Sequence, residues 1–188
     1  MGRPAGRCRP ALLALLLALA GSAPPALAHI DPDDTPDPVA EMEYRILLEF
    51  QPEDTATRNK LAMVLFRLGR LGDAEAELRR VLAAQADDAD ALDGLGLVQA
   101  AQGRPADAVR SFAAARRARP GDLAVHLHLG QALEAQGDLP GAEAAYREGL
   151  AAGQPAADPQ ERTALAAALE ALRQRTAGRP GAPSGGQP

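Results

Sequence analysis

The sequence repeats itself every 34 residues, and this period constrains the fold more than any other feature of the chain. From Thr55 to Gln154 three consecutive segments align without an insertion. Each carries a leucine, a small residue, a glycine, an alanine and a large apolar residue, in that order. The matching sets are Leu61, Leu95 and Leu129; Ala62, Gly96 and Gly130; Gly69, Gly103 and Gly137; Ala74, Ala108 and Ala142; and Leu78, Phe112 and Tyr146. A fixed period of this length predicts a stack of similar supersecondary units.

Each unit has the composition of two helices joined by a turn. Aromatic residues make up only 3% of the chain, and alanine and leucine dominate, which favours helices over a sheet. Small residues in both helices allow close approach, and the repeated glycine fits a left-handed position just past the first helix. The predicted packing residues are Leu61, Ala62, Ala74, Leu95, Gly96, Ala108, Leu129, Gly130 and Ala142.

This pattern resembles the tetratricopeptide repeat, a helix-turn-helix unit of 34 residues. Arg58, Leu92 and His126 stand where the family most often has tryptophan, and Pro120 is the one proline at the three unit ends. The resemblance implies an all-α fold, a right-handed α-solenoid of antiparallel helix pairs. Its three full units would cover residues 55–88, 89–122 and 123–156.

Partial elements flank the three units. Residues 39–54 keep the register of a second helix and form an N-terminal half repeat, whereas the acidic, proline-rich residues 29–38 cannot form a regular helix. Residues 157–176 form a capping helix with an apolar stripe, and residues 177–188 a disordered tail. The predicted helices are Val39–Phe50, Thr55–Leu68, Asp73–Gln85, Ala89–Gln102, Pro105–Arg119, Leu123–Gln136, Pro140–Ala152 and Pro159–Arg175.

Residues 1–28 have the pattern of a secretory signal peptide, with three arginines, an uninterrupted apolar run, and alanines at positions 26 and 28. The apolar run rises only about 16 Å as a helix, against a hydrocarbon core of about 30 Å, so we expect no stable membrane span. Cleavage near Ala28 predicts a periplasmic or secreted protein. The mature chain would have no cysteine and a net charge of −8, which gives no reason to expect a nucleic-acid partner.

The sequence contains no arrangement that indicates catalysis. Ser111 has no histidine at a helical neighbour position, and His126 and His128 are two residues apart, so they point to different faces of a helix. We expect one packed and one exposed histidine. The chain is therefore predicted to be non-enzymatic, without a cofactor or a metal site.

One alternative remains open at the new N-terminus. After cleavage His29 would carry an imidazole beside a free amine, which together chelate Cu or Zn, with Asp31 or Asp33 nearby. This feature is compatible with a small metal-binding or catalytic periplasmic protein.

The resemblance also implies a function, because tetratricopeptide arrays bind a peptide or helix of a partner in a concave groove lined by their first helices. Met63, Phe66 and Leu97 would form an apolar floor, and acidic residues would line the rest. We therefore expect a partner segment with an apolar anchor and a basic flank. The predicted groove residues are Asn59, Met63, Phe66, Arg67, Asp90, Asp93, Leu97, Gln131 and Glu134.

Two other interpretations are compatible with the sequence. The N-terminal helix Val39–Phe50 would fill part of the groove, or the chain would serve as a self-assembling structural solenoid. The leading hypothesis is an assembly adaptor of the cell envelope that binds other proteins.

Overall fold

The structure is a computed structural model, and it describes residues 36–152 and 158–177. The predicted signal peptide, His29 with most of the acidic leader, and the predicted tail beyond residue 177 lie outside the described residues. What the sequence predicts for those segments therefore stays a prediction.

The described residues form eight helices and no strand, which confirms the predicted fold class. No helix among them combines the length and the apolar character that crossing a bilayer requires. In chain order the helices are α1 (Asp37–Phe50), α2 (Thr55–Arg67), α3 (Leu71–Ala84), α4 (Ala89–Ala101), α5 (Pro105–Ala118), α6 (Leu123–Gln136), α7 (Leu139–Ala152) and α8 (Pro159–Ala177).

The helix boundaries differ from the predicted ones by two residues at most. Helix α1 begins at Asp37, so the last two residues of the predicted leader are helical. Proline at 38 is compatible with this start, because the first turn of a helix has backbone N–H groups without an intrahelical acceptor. Helix α3 begins at Leu71 and α8 extends to Ala177.

The helices form two layers. Sequential helices pack against each other, and α2, α4, α6 and α8 also contact their neighbours within one layer. The described helices of the other layer, α1, α3, α5 and α7, make no such contacts with each other. Helices that touch on one side only give a curved array, so the first helices of the units line its concave side.

Glycine-to-aromatic contacts hold the helix pairs of units 2 and 3 together. A Cβ added to Gly96 would lie 2.5 Å from Phe112 Cε1, and one added to Gly130 would overlap Tyr146 Cε1. Both aromatic side chains are fully buried. Unit 1 has the smaller Leu78 in the aromatic position and accordingly carries Ala62, which is also completely buried, in place of glycine.

The turns between paired helices follow the predicted backbone pattern. Gly69, Gly103 and Gly137 have φ values of 74°, 73° and 85°, the left-handed conformation that glycine adopts without steric cost. The prediction for this position is confirmed.

An aspartate repeats at the same period and caps each first helix, a signal that sequence reasoning missed. Asp54 Oδ1 accepts from the backbone N–H of Ala56 at 3.0 Å, and Asp88 Oδ1 accepts from that of Ala91 at 2.8 Å. Asp122 caps α6 in the same way. These caps satisfy N–H groups that a helix start leaves without acceptors. The Thr57 hydroxyl, which donates to Asp54 Oδ2, lowers the pKa of that carboxyl.

Glu75 connects unit 1 to unit 2. Its carboxylate is almost buried and accepts from Gln102 Nε2 at 2.9 Å and from Arg104 Nη1 at 3.0 Å, both at the turn between α4 and α5. Arg79 of the same helix also donates to it. The Gln102 hydrogen bond, with the two arginines, lowers the pKa of Glu75 against the opposing effect of burial.

We predict that Gly130→Ala destabilises the protein, because the added methyl group overlaps the Tyr146 ring. Overpacking costs about 1–3 kcal/mol, against a gain in helix propensity of about 1 kcal/mol. Adding Tyr146→Leu reproduces the alanine–leucine pair of unit 1, so the double variant should recover part of the loss. Denaturant unfolding measures each free energy.

The matched control is Gly72→Ala. A Cβ at this helical glycine meets no atom within 4 Å, so the substitution should be neutral or slightly stabilising. Equal effects at Gly72 and Gly130 would contradict the close-approach role.

We predict that Glu75→Gln lowers the free energy of unfolding by about 1–2 kcal/mol at neutral pH. Because the folded-state pKa is lowered, this stabilisation is complete above the ordinary value of 4.5 and is lost as the pH falls through the folded-state value. The difference between wild type and variant should therefore shrink in acid. Asp87→Asn, which removes an exposed carboxylate, is the control for net charge. A difference that does not depend on pH would refute the role of the ionised group.

Candidate partner-binding groove

A depression of about 410 Å³ lies on the concave side, between the first helices of units 2 and 3. Helices α4 and α6 form its walls, and α5 with the turn before it closes the base. The residues that line it are Leu97, Ala100, Gly103, Pro105, Phe112, His128, Gln131, Ala132 and Ala135. Most of these are apolar or small, and the small ones leave the space in which a side chain can be buried.

The depression exists because neighbouring positions are filled unequally. Phe112 is buried against Gly96 within unit 2, so its ring fills the space between α4 and α5. The facing positions of α6 are alanines, Ala132 and Ala135, which do not reach across to α4. Larger side chains at Ala132 and Ala135 would fill the depression, because protein interiors are closely packed.

A histidine–aspartate pair spans the two walls. His128 Nδ1 of α6 lies 2.9 Å and 3.1 Å from the two carboxylate oxygens of Asp93 of α4. The carboxylate accepts a hydrogen bond, so Nδ1 carries the proton, and Nε2 of a neutral ring is then a hydrogen-bond acceptor. The His128 ring is also tilted against Phe112, with the centroids 5.5 Å apart.

The two histidines of α6 have different environments. His126 is buried, and its ring nitrogens lie 3.2 Å from the carbonyl oxygen of Ala145 and 2.9 Å from that of Pro120. It therefore has a packing role, as one of the pair was expected to have. His128 is half-buried rather than exposed, because Asp93 holds it over the depression. Sequence reasoning did not place His128 in the groove.

Only some of the predicted groove residues lie at the depression. Leu97 and Gln131 line the depression, and Asp93 holds His128 at it. Phe66 packs against the core of unit 1, and Arg67 donates from Nε and Nη2 to Asp37 Oδ1 at 2.8 Å and 2.6 Å. The expected apolar floor is therefore not continuous.

Asn59 and Met63 lie on α2, away from the depression. Asn59 Nδ2 donates to Asp88 at 3.2 Å, and its Oδ1 is buried with no hydrogen-bond partner among the described residues. The Met63 sulfur lies 3.3 Å from the position that a Cβ on Gly94 would occupy, so it packs towards α4.

The three acidic residues predicted to line the groove are each paired. Asp90 accepts from Arg119 Nη1 at 2.8 Å, and this hydrogen bond raises the pKa of Arg119. Asp93 is paired with His128. Arg119, at the C-terminal end of α5, and His128 thus reduce the acidic character of the groove that the sequence suggested.

Glu134, the third of these acids, has two donors. It accepts from the Tyr146 hydroxyl at 2.6 Å and from Arg175 of α8. Burial, together with the hydrogen bond to Glu134, raises the pKa of Tyr146.

The groove is open on the side of the N-terminal helix. Among the described helices, α1 contacts α2 alone, so it does not cover the depression between α4 and α6. The alternative that α1 fills part of the groove therefore applies only to its N-terminal side, where Asp37 of α1 accepts from Arg67 of α2.

Two kinds of chemical group beyond the lining bear on catalysis, the Ser111 hydroxyl and possible metal ligands. Ser111 is buried and donates to Gln99 Oε1 at 2.7 Å, with no histidine bonded to it. Within residues 36–152 and 158–177 no group of three or more histidine, cysteine or acidic residues is arranged to hold a metal ion. The arrangement can bury an apolar side chain and exchange a few hydrogen bonds with its backbone.

Comparison with protein families gives a match to the tetratricopeptide repeat over residues 40–91, 59–122 and 94–161. The chain belongs to the tetratricopeptide repeat family. These three matches together span most of the described residues, and they confirm the resemblance that the 34-residue period predicts. A search of curated proteins found no match.

Several solved structures share this fold. The type III secretion translocator chaperone SycD of Yersinia enterocolitica is 20% identical with a TM-score of 0.59, over 65% of this chain and 85% of that one. A complex of SycD with a peptide of the translocator YopD gives 20% identity and a TM-score of 0.57, over 64% and 93% of the two chains. PcrH of Pseudomonas aeruginosa is 22% identical with a TM-score of 0.58, over 63% and 91%.

We predict that Tyr146 ionises well above the ordinary tyrosine value of 10, because its hydroxyl is buried. An ultraviolet absorbance titration of wild type should show an ionisation step that the Tyr146→Phe variant lacks. Glu134→Gln should move this step down only in part, since burial is the larger cause. Circular dichroism of the same solutions establishes that the fold persists at each pH. A step unaffected by Tyr146→Phe would contradict the assignment.

Proposed function

We propose that this protein is a non-enzymatic assembly adaptor or escort of the cell envelope, which binds a segment of a partner protein in its concave groove. The observation that carries the proposal is the apolar depression between α4 and α6, which no described helix covers. Its volume lies in the range of pockets that bury a small ligand or one large side chain.

The lining defines the chemistry of the bound segment. Leu97, Phe112 and Ala132 favour an aliphatic or aromatic anchor side chain. The Gln131 amide is exposed at the edge and can bond the partner backbone, and His128 Nε2 can accept a hydrogen bond from a donor beside the anchor. The basic flank expected from the sequence has less support, because the acidic residues of the groove are already paired.

Structural neighbours support a role in peptide binding. SycD is described as a translocator chaperone, and one of its structures holds a peptide of the protein YopD. At this level of identity the likeness extends to the fold, so the binding role comes to this chain as a proposal. It agrees with the groove chemistry derived above.

The location in the cell envelope rests on the sequence of residues 1–28. A basic segment, an apolar run and an A-x-A site together are typical of exported proteins. Export would place the groove in the compartment where other envelope proteins are assembled.

We predict that a photo-crosslinking amino acid at Gln131 captures one discrete partner in cells, identified by mass spectrometry. Ala135→Leu, which fills the depression from an exposed position, should abolish that adduct while circular dichroism remains unchanged. The reason is that the leucine side chain occupies the space in which the anchor side chain of the partner would be buried.

Two controls make this result specific. Ala101→Leu adds the same bulk at an exposed position of α4 that does not line the depression, so it should leave the adduct intact. A crosslinker at Arg147, an exposed residue of α7 in the other layer, should not give the adduct. An adduct that survives Ala135→Leu would remove the depression as the binding site.

We further predict that the protein recovered from a periplasmic or culture fraction begins at His29. Intact-mass measurement and N-terminal sequencing check the position, and Ala28→Leu should block processing. Recovery of the uncleaved chain from the cytoplasm alone would refute export.

A further inference from the structure

Helix α1 exposes an apolar stripe. The large apolar side chains of the described residues that stand out to solvent all lie on this helix: Val39, Met42, Ile46, Leu47 and Phe50. Phe50 is 79% exposed and Met42 57% exposed. We call these five residues the α1 stripe. They recur at helical spacing over three turns, so they form one continuous surface.

The repeat register shows that this exposure is particular to α1. Met42 corresponds to Ala76, Arg110 and Ala144 of the later second helices, and all three are exposed and either small or charged. Phe50 likewise corresponds to Ala84, Ala118 and Ala152. The positions of Met42 and Phe50 face solvent throughout the array, so the array itself does not explain large apolar residues there. Leu47 differs, because it corresponds to Val81, Ala115 and Gly149, which are buried in the later second helices.

The opposite side of α1 is apolar as well. Ala40 is buried, and Tyr44 and Leu48 pack against the core of unit 1. A helix that is apolar on two sides is expected to be buried on both. Among the described helices only α2 contacts α1, so the α1 stripe lacks a partner within this part of the chain.

We propose that the α1 stripe is a dimer interface, and that its occupant is the antiparallel α1 of a second copy of this chain. An isologous interface needs a surface that is complementary to itself. The α1 stripe is close to symmetric about its midpoint between Tyr44 and Arg45. Val39 and Phe50 lie at equal distances from that point, and so do Met42 and Leu47, so each pair meets across the two-fold axis.

The size of the α1 stripe fits this occupant. Its five side chains present roughly 500 Å² of apolar surface, at the upper end of what a monomer exposes in one patch. Two copies together bury on the order of 1,000 Å², which is the lower limit for a specific interface. We therefore expect a weak dimer, at the lower end of the sizes of specific interfaces.

Most charges of α1 lie outside the α1 stripe. Glu49 lies in the last turn of α1, which contains no basic residue, so it faces the negative end of its own helix dipole. Antiparallel pairing brings it near the N-terminal end of the second α1, where Asp37 and Glu41 are paired with Arg67 and Arg70. Glu43 is the one charged residue of α1 on the same face as the α1 stripe. In the antiparallel dimer it lies opposite Ile46 of the second copy.

Light scattering and sedimentation of the protein as cells produce it test the proposal. We expect the mass of a dimer at micromolar concentration. Ile46→Glu should raise the dissociation constant on the order of a hundredfold, and Glu43→Leu should lower it, because it removes the charge within the apolar surface. Ala76→Glu places the same charge at the position in α3 that corresponds to Met42, and it should have no effect.

Disulfide trapping tests the orientation in a Cys8→Ser background. Val39→Cys mixed with Phe50→Cys should give a crosslinked heterodimer, whereas neither variant alone should crosslink efficiently. Crosslinking of Val39→Cys with itself would overturn antiparallel pairing. A wild-type monomer at high micromolar concentration, or a dimer insensitive to Ile46→Glu with unchanged helicity, would overturn the proposal. Binding of a basic partner helix instead would appear as a monomer whose capture is weakened by Glu43→Leu.

This experiment is independent of the groove. Ala135→Leu should leave the dimer intact, and Ile46→Glu should leave the Gln131 adduct intact, so the failure of one proposal does not decide the other.

Discussion

The close approach of paired helices, which glycine permits and an aromatic ring fills, is the contact on which the rest of this structure depends. Gly96 and Phe112 in unit 2, and Gly130 and Tyr146 in unit 3, leave no room for a Cβ. The pair in unit 1 uses alanine and leucine and fits for the same reason, since the sum of the two volumes is conserved. Each pair then presents a first helix to one layer and a second helix to the other.

From this pairing the concave surface follows. First helices contact each other along one layer, and the described second helices do not, so the array bends towards the first helices. Because Phe112 packs against Gly96, its ring lines the base of the depression between α4 and α6 and does not fill it. The binding surface is therefore a consequence of the same contact that stabilises the unit. The described ends of the array differ: α8 buries its leucines against unit 3, whereas α1 leaves a large apolar surface exposed.

Electrostatic pairing across units changes the character of the groove. Asp93 and His128 are 35 residues apart, and Glu134 and Arg175 are 41 residues apart. A repeat alignment places these residues on helices but does not say which of them meet. The acids of the groove are consequently less available to a basic partner than their number in the sequence suggests, and the apolar lining becomes the stronger determinant of what binds.

The sequence by itself determined the helices, their boundaries within two residues, the left-handed glycines and the family, because each of these follows from local propensity and from a period that is visible in one dimension. It also named Leu97 and Gln131 as groove residues, and both line the depression between α4 and α6. Only the tertiary structure decided that His128 joins them, that Arg67 bonds Asp37 of α1 instead, and that the α1 stripe is exposed. The physical reason is that side-chain pairing and burial depend on which residues of different units meet in space, and the spacing along one unit does not contain that information.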